Sequence, residues 1–295
     1  MKKRLFFLAI LALIGYAAAQ HPSIVNRLRS DMNPGQQKSA IPNGKELTVR
    51  IAKDQIYKGD LLLVNKDHPV PEGAVESEAV NLFQHKELVQ GFGLSDNTIR
   101  LSRSMVQRFS AMTQAASKDG VRHFLINSGY RDSKEQTRLY REMGAAYAMP
   151  AGYSEHNLGL SLDIGSTQGE MNRAPEGQWL KKNAWKHGFV LRYPKDKTDI
   201  TGIQYEPWHF RYVGLPHSAI MQENDMVLEQ YLDFLKERKT VTKNIGRQTY
   251  TVTYYPVPPN TTVRVPANAR YEISGNNMDG VIVTAELGTD KDPSS

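Results

Sequence analysis

The sequence predicts a protein in which helices and strands are mixed along most of the chain, with a β-rich segment at the end. Two observations support this fold class. Between about residues 55 and 239, runs with apolar residues at helical spacing alternate with short apolar runs typical of strands. After Thr240 the segments are rich in β-branched and aromatic residues and are separated by Pro-Pro, Asn and Gly turns. A chain of 295 residues is long enough for one good-sized core with appendages.

Four helices are predicted from apolar spacing and from start and stop signals. The first has Met105, Phe109 and Met112 on one face, and Asp132 or Ser133 can cap the second. The predicted ranges are Ser102 to about Lys118, 132 to about Tyr147, Glu176 to His187, and Pro216 to about Glu237.

Short apolar or alternating runs predict the strands. In the body of the chain these runs are Leu61–Val64, His123–Asn127, Leu158–Ile164, Phe189–Leu191 and Trp208–Val213. In the β-rich segment they are Tyr250–Val257, Thr262–Val265 and Gly280–Ala285.

Residues 1–19 have the pattern of an export signal or a membrane anchor. A cationic start at Lys2 to Arg4 is followed by an uncharged run that ends in three alanines suited to cleavage. This run is shorter than the roughly 20 residues that a membrane span needs. We therefore expect an exported, extracytoplasmic protein that is either secreted or anchored to the membrane. A polar linker is expected over residues 20–54, where Pro and Gly interrupt the sequence.

Composition limits the chemistry that the chain can perform. The chain has no Cys, so any metal must be held by His, Asp or Glu, and no disulfide constrains the fold. The net charge is +6, but no Lys/Arg stripe beyond the N-terminal segment indicates nucleic-acid binding. A mildly basic exported protein is expected to favour anionic surfaces and substrates.

Two stretches contain the side chains of a catalytic metal site. The first includes His156 and Asp163, and the second is Glu206-Pro207-Trp208-His209. Two imidazoles and one carboxylate can hold a zinc ion and leave one coordination position for water, while a second carboxylate stays free. The pattern indicates metal-assisted hydrolysis.

His156 and Asp163 are seven residues apart and would face opposite sides of an unbroken strand. Gly159 lies between them and permits a bend that brings both side chains to one metal. We therefore expect His156 on a loop and Asp163 on the strand that follows. Taken singly, the two residues also fit an ordinary surface histidine and a capping aspartate.

Glu206 and His209 are separated by Pro207, which holds the preceding residue in an extended conformation. A carboxylate held beside a metal-bound histidine meets the requirement for a general base that is not itself a ligand. The alternative is a Glu/His pair at the entrance of a strand. Trp208 is expected in the core or in the wall of the pocket under either interpretation.

Arg131 and Ser154 are candidate substrate contacts. Arg131 lies at a turn between a strand and a helix, where a guanidinium can bind a carboxylate or offset charge on a tetrahedral intermediate. Ser154 lies two residues before His156 and can donate to a substrate carboxylate. Each residue alone also fits a solvated surface charge and a turn serine.

Three motifs in this order carry a resemblance to a known family. They are Ser128-Gly129-Tyr130-Arg131, the Ser-x-His-x6-Asp pattern from Ser154 to Asp163, and Glu206-Pro207-Trp208-His209. The chain resembles the zinc D-alanyl-D-alanine peptidases, and in particular the VanY-type D,D-carboxypeptidases of glycopeptide resistance. The similarity extends over roughly residues 57 to 286 and includes the β-rich end.

This resemblance implies an α+β fold of the D,D-peptidase/hedgehog type, with an antiparallel sheet that bears the site and helices packed on one side. It implies a zinc peptidase domain over residues 55–239 and a small β-rich extension over residues 240–295. The implied roles are zinc ligands for His156, Asp163 and His209, catalytic base for Glu206, and substrate contacts for Arg131 and Ser154. Tyr130 and Gln136 match pocket positions of the wider family, beside Trp208.

The implied function is removal of the C-terminal D-Ala from peptidoglycan stem pentapeptides that end in D-Ala-D-Ala, with one Zn²⁺ per chain. This activity would take place at the membrane or cell-wall surface and would contribute to vancomycin resistance. A serine mechanism is not expected, because Ser95-Asp96-Asn97 is present without the accompanying Ser-x-x-Lys and Lys-Thr-Gly motifs. The alternatives are an L,D-carboxypeptidase or a D,D-dipeptidase on the same scaffold, or a non-catalytic zinc-bearing module that binds the cell wall.

Overall fold

A computed structural model of the chain describes residues 46–74, 78–258 and 261–288. The predicted export segment 1–19 and the linker as far as residue 45 lie outside the described residues. Within these three ranges, no helix has the length and apolar character needed to cross a lipid bilayer.

Six α-helices are present in the described residues. They are α1 (Arg103–Lys118), α2 (Ser133–Met143), α3 (Pro175–Asn183), α4 (Thr198–Thr201), α5 (His217–Glu223) and α6 (Leu228–Arg238). Ser102 caps α1 by accepting a hydrogen bond from the Met105 backbone N–H at 3.3 Å. Asp132 and Glu135 form a reciprocal capping box at the start of α2. The helix starts predicted at Ser102 and at Asp132 are therefore confirmed.

Helix ends differ from the predictions where the backbone leaves the right-handed region. Helix α2 stops at Met143, before the predicted Tyr147, because Gly144 adopts a φ of +77°. The single last helix predicted from Pro216 to about Glu237 is wrong, because the chain forms α5 and α6 instead. The break contains Asp225 at a φ of +50°, a conformation that a continuous helix does not allow.

The strands of the body are short. They are β2 (Val80–Asn81), β3 (Gly93–Leu94), β4 (Arg100–Leu101), β5 (Phe124–Ser128), β6 (Ser161–Ser166), β7 (Phe189–Leu191) and β8 (His209–Tyr212). Five of them form one sheet in the order β3-β5-β6-β8-β7. The pairs β5–β6, β6–β8 and β8–β7 are antiparallel, and β3 joins the edge of the sheet in parallel to β5. The predicted α+β class with a mainly antiparallel sheet is confirmed.

The two faces of this sheet have different roles. Leu162 and Ile164 of β6 and Phe210 of β8 point into the main core, where they pack with residues of α1 and α3 such as Phe109 and Trp179. Because side chains alternate along a strand, the residues between and beside these apolar ones project from the opposite face. Asp163 and His209 lie at such positions.

The C-terminal segment forms its own sheet structure. Strands β9 (Thr240–Ile245), β10 (Gln248–Pro256), β12 (Arg270–Gly275) and β13 (Gly280–Leu287) form an antiparallel sheet in the order β12-β13-β10-β9. Strand β11 (Thr262–Pro266) pairs instead with β1 (Glu46–Arg50). The end of the segment expected to be a linker, 20–54, is thus a strand of the β-rich extension. Helices α5 and α6 pack their apolar side chains against β10 and β13.

The strand predicted at Leu61–Val64 is wrong, although the predicted burial of its side chains is correct. These four residues are buried but have no strand partner. Their backbone bonds go elsewhere, since Leu63 N–H donates to Asn276 O at 3.3 Å and Leu62 O accepts from Arg211 Nη2 at 3.0 Å. An apolar run predicts burial but does not distinguish a sheet ladder from bonds to loops and side chains.

Candidate metal centre

Asp163 and His209 are brought together by strand register. They are directly opposite each other on the antiparallel strands β6 and β8. Cross-strand partners have Cβ atoms about 4.5–5.5 Å apart, so side chains on the same face meet. His209 Nδ1 lies 3.1 Å from Asp163 Oδ1. Two residues separated by almost fifty positions in the sequence thus share one location.

His156 reaches the same point from the turn before β6. It lies in a short 3-10 helix, Glu155–Leu158, and its backbone N–H donates to the side-chain oxygen of the capping residue Ser154 at 3.3 Å. Gly159 ends this helix in the left-handed region, at a φ of +68°, where glycine is favoured over other residues. The chain then turns into β6, and His156 Nε2 lies 3.4 Å from Asp163 Oδ1.

The three side chains fit a tetrahedral zinc ion. Zinc bonds to N and O of about 2.0–2.2 Å imply ligand atoms roughly 3.3–3.5 Å apart, close to the two distances observed. One ligand atom from each of His156, Asp163 and His209 can be chosen so that all lie within 4.8 Å of one another. Among the described residues, three buried side-chain atoms lack a hydrogen-bond partner, namely His156 Nε2, Asp163 Oδ1 and His209 Nε2. Buried polar atoms without partners are costly, and a metal ion would satisfy the first two.

The remaining polar atoms of His156 and Asp163 are held by the chain. His156 Nδ1 lies 2.6 Å from Gly129 O, which places its proton on that nitrogen and leaves Nε2 free for a metal. Arg131 Nη2 donates to Asp163 Oδ2, the oxygen that faces away from the histidines. Both ligands therefore have fixed orientations.

The electrostatics of the three residues differ. Burial opposes ionisation of Asp163, but the charges of His156 and Arg131 outweigh it and hold the pKa of Asp163 well below its usual range. Burial, aided by the charge of Arg131, lowers the pKa of His156 to about 4. Burial also acts to lower the pKa of His209, but Asp163 and Glu155 outweigh it and raise this pKa to about 9.

Glu206 is the carboxylate left over beside the three ligands. It lies in the loop before β8, and Glu206 Oε2 is 3.6 Å from His209 Nδ1. Burial raises the pKa of Glu206 to about 7. A carboxylate with such a pKa can take up and release a proton near neutral pH, as a general acid–base group must.

Arg131 lies at the edge of the metal centre rather than in solvent. Arg131 Nε donates to Ser128 Oγ at 2.8 Å, and Nη1 donates to Gln136 Oε1 at 3.3 Å. Gln136 is itself buried and donates to Met149 O at 2.7 Å. These bonds, together with the one to Asp163, hold the guanidinium in place beside the metal centre.

A cleft with a cavity volume of about 370 Å³ opens onto the centre. Tyr130, Ser154 and Trp208 line it, together with Arg131 and Glu206. The Arg100 guanidinium lies 5.0 Å from the centroid of the Tyr130 ring. The structure thus brings every sequence-predicted site residue to this cleft or to its floor.

Several supporting residues were missed by sequence reasoning. Glu155 is fully buried behind His209, and the Tyr193 ring lies 4.8 Å from the His209 ring, centroid to centroid. Arg192 is buried and bonded to Glu155. Glu155 had one available signal, a charged residue inside the metal motif, whereas Tyr193 and Arg192 had none.

The cleft lies beside the sheet of an α+β fold. Its base contains two buried imidazoles, a carboxylate that can serve as a ligand, and a free carboxylate. This combination defines the class of mononuclear zinc hydrolases. The VanY family, described as D-alanyl-D-alanine carboxypeptidase, matches residues 98–215. A D-alanyl-D-alanine carboxypeptidase of Enterococcus faecium is 53% identical over 297 residues, which cover 97% of each chain. This chain belongs to the VanY family.

The solved structures similar to this one include two peptidases of vancomycin resistance. The vancomycin resistance D,D-dipeptidase VanXYg, in complex with a D-Ala-D-Ala phosphinate analog, has a TM-score of 0.72 at 32% identity. The match covers 83% of this chain and 100% of that one. A mutant of the vancomycin resistance D,D-pentapeptidase VanY, in complex with Zn(II), has a TM-score of 0.50 at 30% identity, covering 59% of this chain and 98% of that one.

Proposed function

We propose that this protein is a zinc-dependent D,D-carboxypeptidase that removes the C-terminal D-Ala from peptidoglycan stem peptides ending in D-Ala-D-Ala. The observation that carries the proposal is the meeting of His156, Asp163 and His209 with a free carboxylate, Glu206, 3.6 Å from the nearest ligand nitrogen. The relatives named above supply the substrate class, since the E. faecium relative is a D-alanyl-D-alanine carboxypeptidase.

In the proposed reaction, water adds across the terminal peptide bond. Zinc, when bound, supplies Lewis-acid chemistry and acidifies water. Glu206 accepts one proton from the attacking water as the new C–O bond forms. Glu206 then returns this proton to the amide nitrogen as the C–N bond breaks, and D-Ala leaves with a free amine. The pKa of about 7 suits Glu206 to both transfers.

Arg131 is proposed to stabilise the negative charge that develops on the carbonyl oxygen. Its guanidinium is held by Ser128, Gln136 and Asp163, so little reorganisation is needed during the reaction. Ser154 and Tyr130 line the same cleft and are proposed to contact the end of the stem peptide. Trp208 would form part of its wall.

Removal of the terminal D-Ala destroys the D-Ala-D-Ala end of the cell-wall precursor, and we propose that the protein contributes in this way to glycopeptide resistance. The relation to VanXYg and VanY, both of which are vancomycin resistance peptidases, supports this role.

One assay tests the activity against its alternatives. The zinc content of the purified protein is measured together with D-Ala release from a pentapeptide ending in D-Ala-D-Ala, a tetrapeptide ending in a single D-Ala, and free D-Ala-D-Ala. We expect one zinc per chain and release from the pentapeptide. Preferred cleavage of the tetrapeptide would indicate an L,D-carboxypeptidase, and preferred cleavage of the free dipeptide a D,D-dipeptidase. Zinc without any release would indicate a wall-binding module.

We also propose that the protein is exported and acts at the membrane or cell-wall surface. The cationic start, the uncharged run and the three alanines of residues 1–19 support this location. Mass determination of the N-terminus after fractionation tests it. We expect the protein outside the cytoplasm, and an intact N-terminus in the cytoplasmic fraction would contradict the proposal.

A further inference from the structure

A second cluster of charged side chains lies directly behind the metal centre. Glu155, Arg192 and Arg211 are all fully buried, with at most 1% of each residue exposed. Glu155 Oε1 accepts hydrogen bonds from Arg192 Nε at 2.8 Å and from Arg211 Nη1 at 2.7 Å. Arg192 extends the cluster to Glu229 of α6 through a bidentate contact at 2.7 and 2.8 Å. The four side chains together carry no net charge.

The two oxygens of Glu155 face different partners. Both arginines contact Oε1, whereas Oε2 accepts from Ser161 Oγ at 3.1 Å and lies 3.5 Å from His209 Nε2. The contact with His209 is longer than the usual 2.7–3.2 Å of an N–H···O hydrogen bond, and it is therefore mainly electrostatic. Among the described residues, His209 Nε2 is buried and has no hydrogen-bond partner.

The orientation of the His209 ring explains why this contact matters. Nδ1 faces Asp163 Oδ1 at 3.1 Å and Glu206 Oε2 at 3.6 Å, so Nδ1 is the atom available to a metal. When a neutral imidazole binds a metal through Nδ1, its proton must lie on Nε2. That N–H then points at a carboxylate in a buried environment, where electrostatic interactions are strong.

We propose that Glu155 is a positioning residue that orients the zinc ligand His209 through its outer nitrogen and strengthens its bond to the metal. Arg192 and Arg211 have a matching role, which is to hold Glu155 Oε1 so that Oε2 faces His209. This inference rests on the zinc site of the proposed function. It accounts for two fully buried arginines converging on one carboxylate oxygen, an arrangement that a purely structural role does not require, because buried ion pairs rarely stabilise a fold more than apolar packing would.

His156 is oriented differently, since its outer nitrogen meets the neutral Gly129 O at 2.6 Å. We therefore predict that changes at Glu155 affect metal binding through His209, whereas changes at Gly129 affect it through His156.

The test is Glu155→Gln in the full chain, which keeps the size of the side chain and removes its charge. Zinc affinity is measured by competition with a chromophoric chelator, and the ligand field by the visible absorption of the Co²⁺-substituted protein. The matched control is Glu176→Gln, because Glu176 is also buried and bonded, to His123 N and Ser166 Oγ, but contacts no metal ligand. The midpoint of thermal unfolding is recorded for both metal-free variants.

We expect Glu155→Gln to weaken zinc binding about 10- to 100-fold and to shift the Co²⁺ absorption, with Glu176→Gln within about twofold of the original protein. A folded Glu155→Gln protein with zinc affinity within threefold of the original would overturn the proposal and leave Glu155 a structural role only. If Glu155→Gln does not fold, Glu155→Asp replaces it, because the charge stays but the carboxylate moves away from His209. The same loss of affinity is expected, and unchanged affinity would contradict the proposal. This test measures metal affinity. Failure of the proposal about Glu155 can therefore be told apart from failure of the proposed function, which would appear as an absence of D-Ala release by the unmutated protein.

Discussion

At the residue scale, two side chains of the same chemical type differ in pKa because their surroundings differ. Asp163 and Glu206 are both buried carboxylates, yet the pKa of Asp163 lies well below its usual range and that of Glu206 is about 7. The difference arises because Arg131 and His156 surround Asp163, whereas burial dominates at Glu206. Environments that separate the pKa values of two acids suit them to different roles, and the roles proposed here are an ionised ligand for Asp163 and a proton carrier for Glu206.

Glu206→Gln is expected to keep zinc and to lose turnover. Glutamine has nearly the same shape but cannot accept a proton, and general acid–base catalysis contributes roughly 10²- to 10⁴-fold to rate. The measurement is kcat for D-Ala release alongside zinc content, with Glu176→Gln as the control for a buried Glu-to-Gln change. Near-normal turnover in Glu206→Gln would remove Glu206 as the base.

His209→Ala is expected to bind zinc poorly, because one of three protein ligands is lost. The control is His187→Ala, since His187 is half-buried and lies outside the metal centre. Zinc content after dialysis against metal-free buffer measures the effect. We expect well below one zinc per chain in His209→Ala and about one in His187→Ala, and stoichiometric zinc in His209→Ala would contradict its role as a ligand.

At the element scale, two connecting segments are hydrogen-bonded to each other and together form part of the site. The turn after β5 contains Gly129 and Arg131, and the 3-10 helix before β6 contains His156. Arg131 N–H donates to His156 O at 3.2 Å, and Asn157 Nδ2 donates to Arg131 O at 2.6 Å. These bonds position the guanidinium and the imidazole as one unit, which neither strand could do alone.

Gly129→Ala is expected to disturb both turns. A Cβ at residue 129 would lie 2.4 Å from Arg100 O and 2.7 Å from a methyl carbon of Leu101, so the backbone must move. Overpacking of this kind costs about 1–3 kcal/mol of unfolding free energy, and displacement of Gly129 O should also weaken zinc binding through His156.

The control for this change is Gly288→Ala, because an added Cβ at residue 288 meets no atom within 4 Å among the described residues. Urea unfolding and zinc affinity are measured for both variants. A Gly129→Ala protein as stable as Gly288→Ala, and with the same zinc affinity, would show that the close approach is not essential.

Local sequence signals predicted most elements but not all of their ends. The caps at Ser102 and Asp132 were predictable because capping is a short-range interaction within four residues. The break between α5 and α6 was not, because it depends on a left-handed Asp225, for which the sequence has no glycine signal. Strands β9 and β12 were missed as well, and both lie at the edges of their sheet, where their side chains are largely exposed or half-buried.

At the scale of the whole molecule, the side chain of His217 links helices α5 and α6 to the C-terminal sheet. His217 of α5 is buried, and its Nδ1 lies 2.7 Å from Tyr231 Oη of α6 while Nε2 lies 3.0 Å from Thr284 Oγ1 of β13. Burial lowers the pKa of His217 to about 3. The neutral form is therefore the one that the folded state accommodates.

This linkage predicts an acid-sensitive contribution to stability. The pKa of His217 is about 3 in the folded protein and about 6.5 in an unfolded chain, so the unfolded state binds the proton more readily between these values. The contribution is fully present above about pH 6.5 and is lost as the pH falls toward 3, by up to about 1.4 kcal/mol per pH unit.

His217→Gln is expected to be less stable at neutral pH but to lose less unfolding free energy on acidification from pH 6.5 to 4.5. Urea unfolding across this range measures the difference, with the exposed His123→Gln as control. Other groups also titrate in this range. We therefore compare the slope of unfolding free energy against pH for each variant with the same slope for the original protein. Equal slopes for all three proteins would contradict the assignment.

The sequence by itself determined the chemistry of this protein. Three motifs specify which side chains are available, and the glycine and proline beside them, Gly159 and Pro207, indicate the local backbone. The tertiary structure alone decided that Asp163 stands opposite His209, that Arg131 holds the outer oxygen of Asp163, and that Glu155 lies behind His209. The physical reason is long-range packing, which short motifs do not encode. Packing sets the register between strands that are distant in the sequence, and it buries charged side chains that come from several elements.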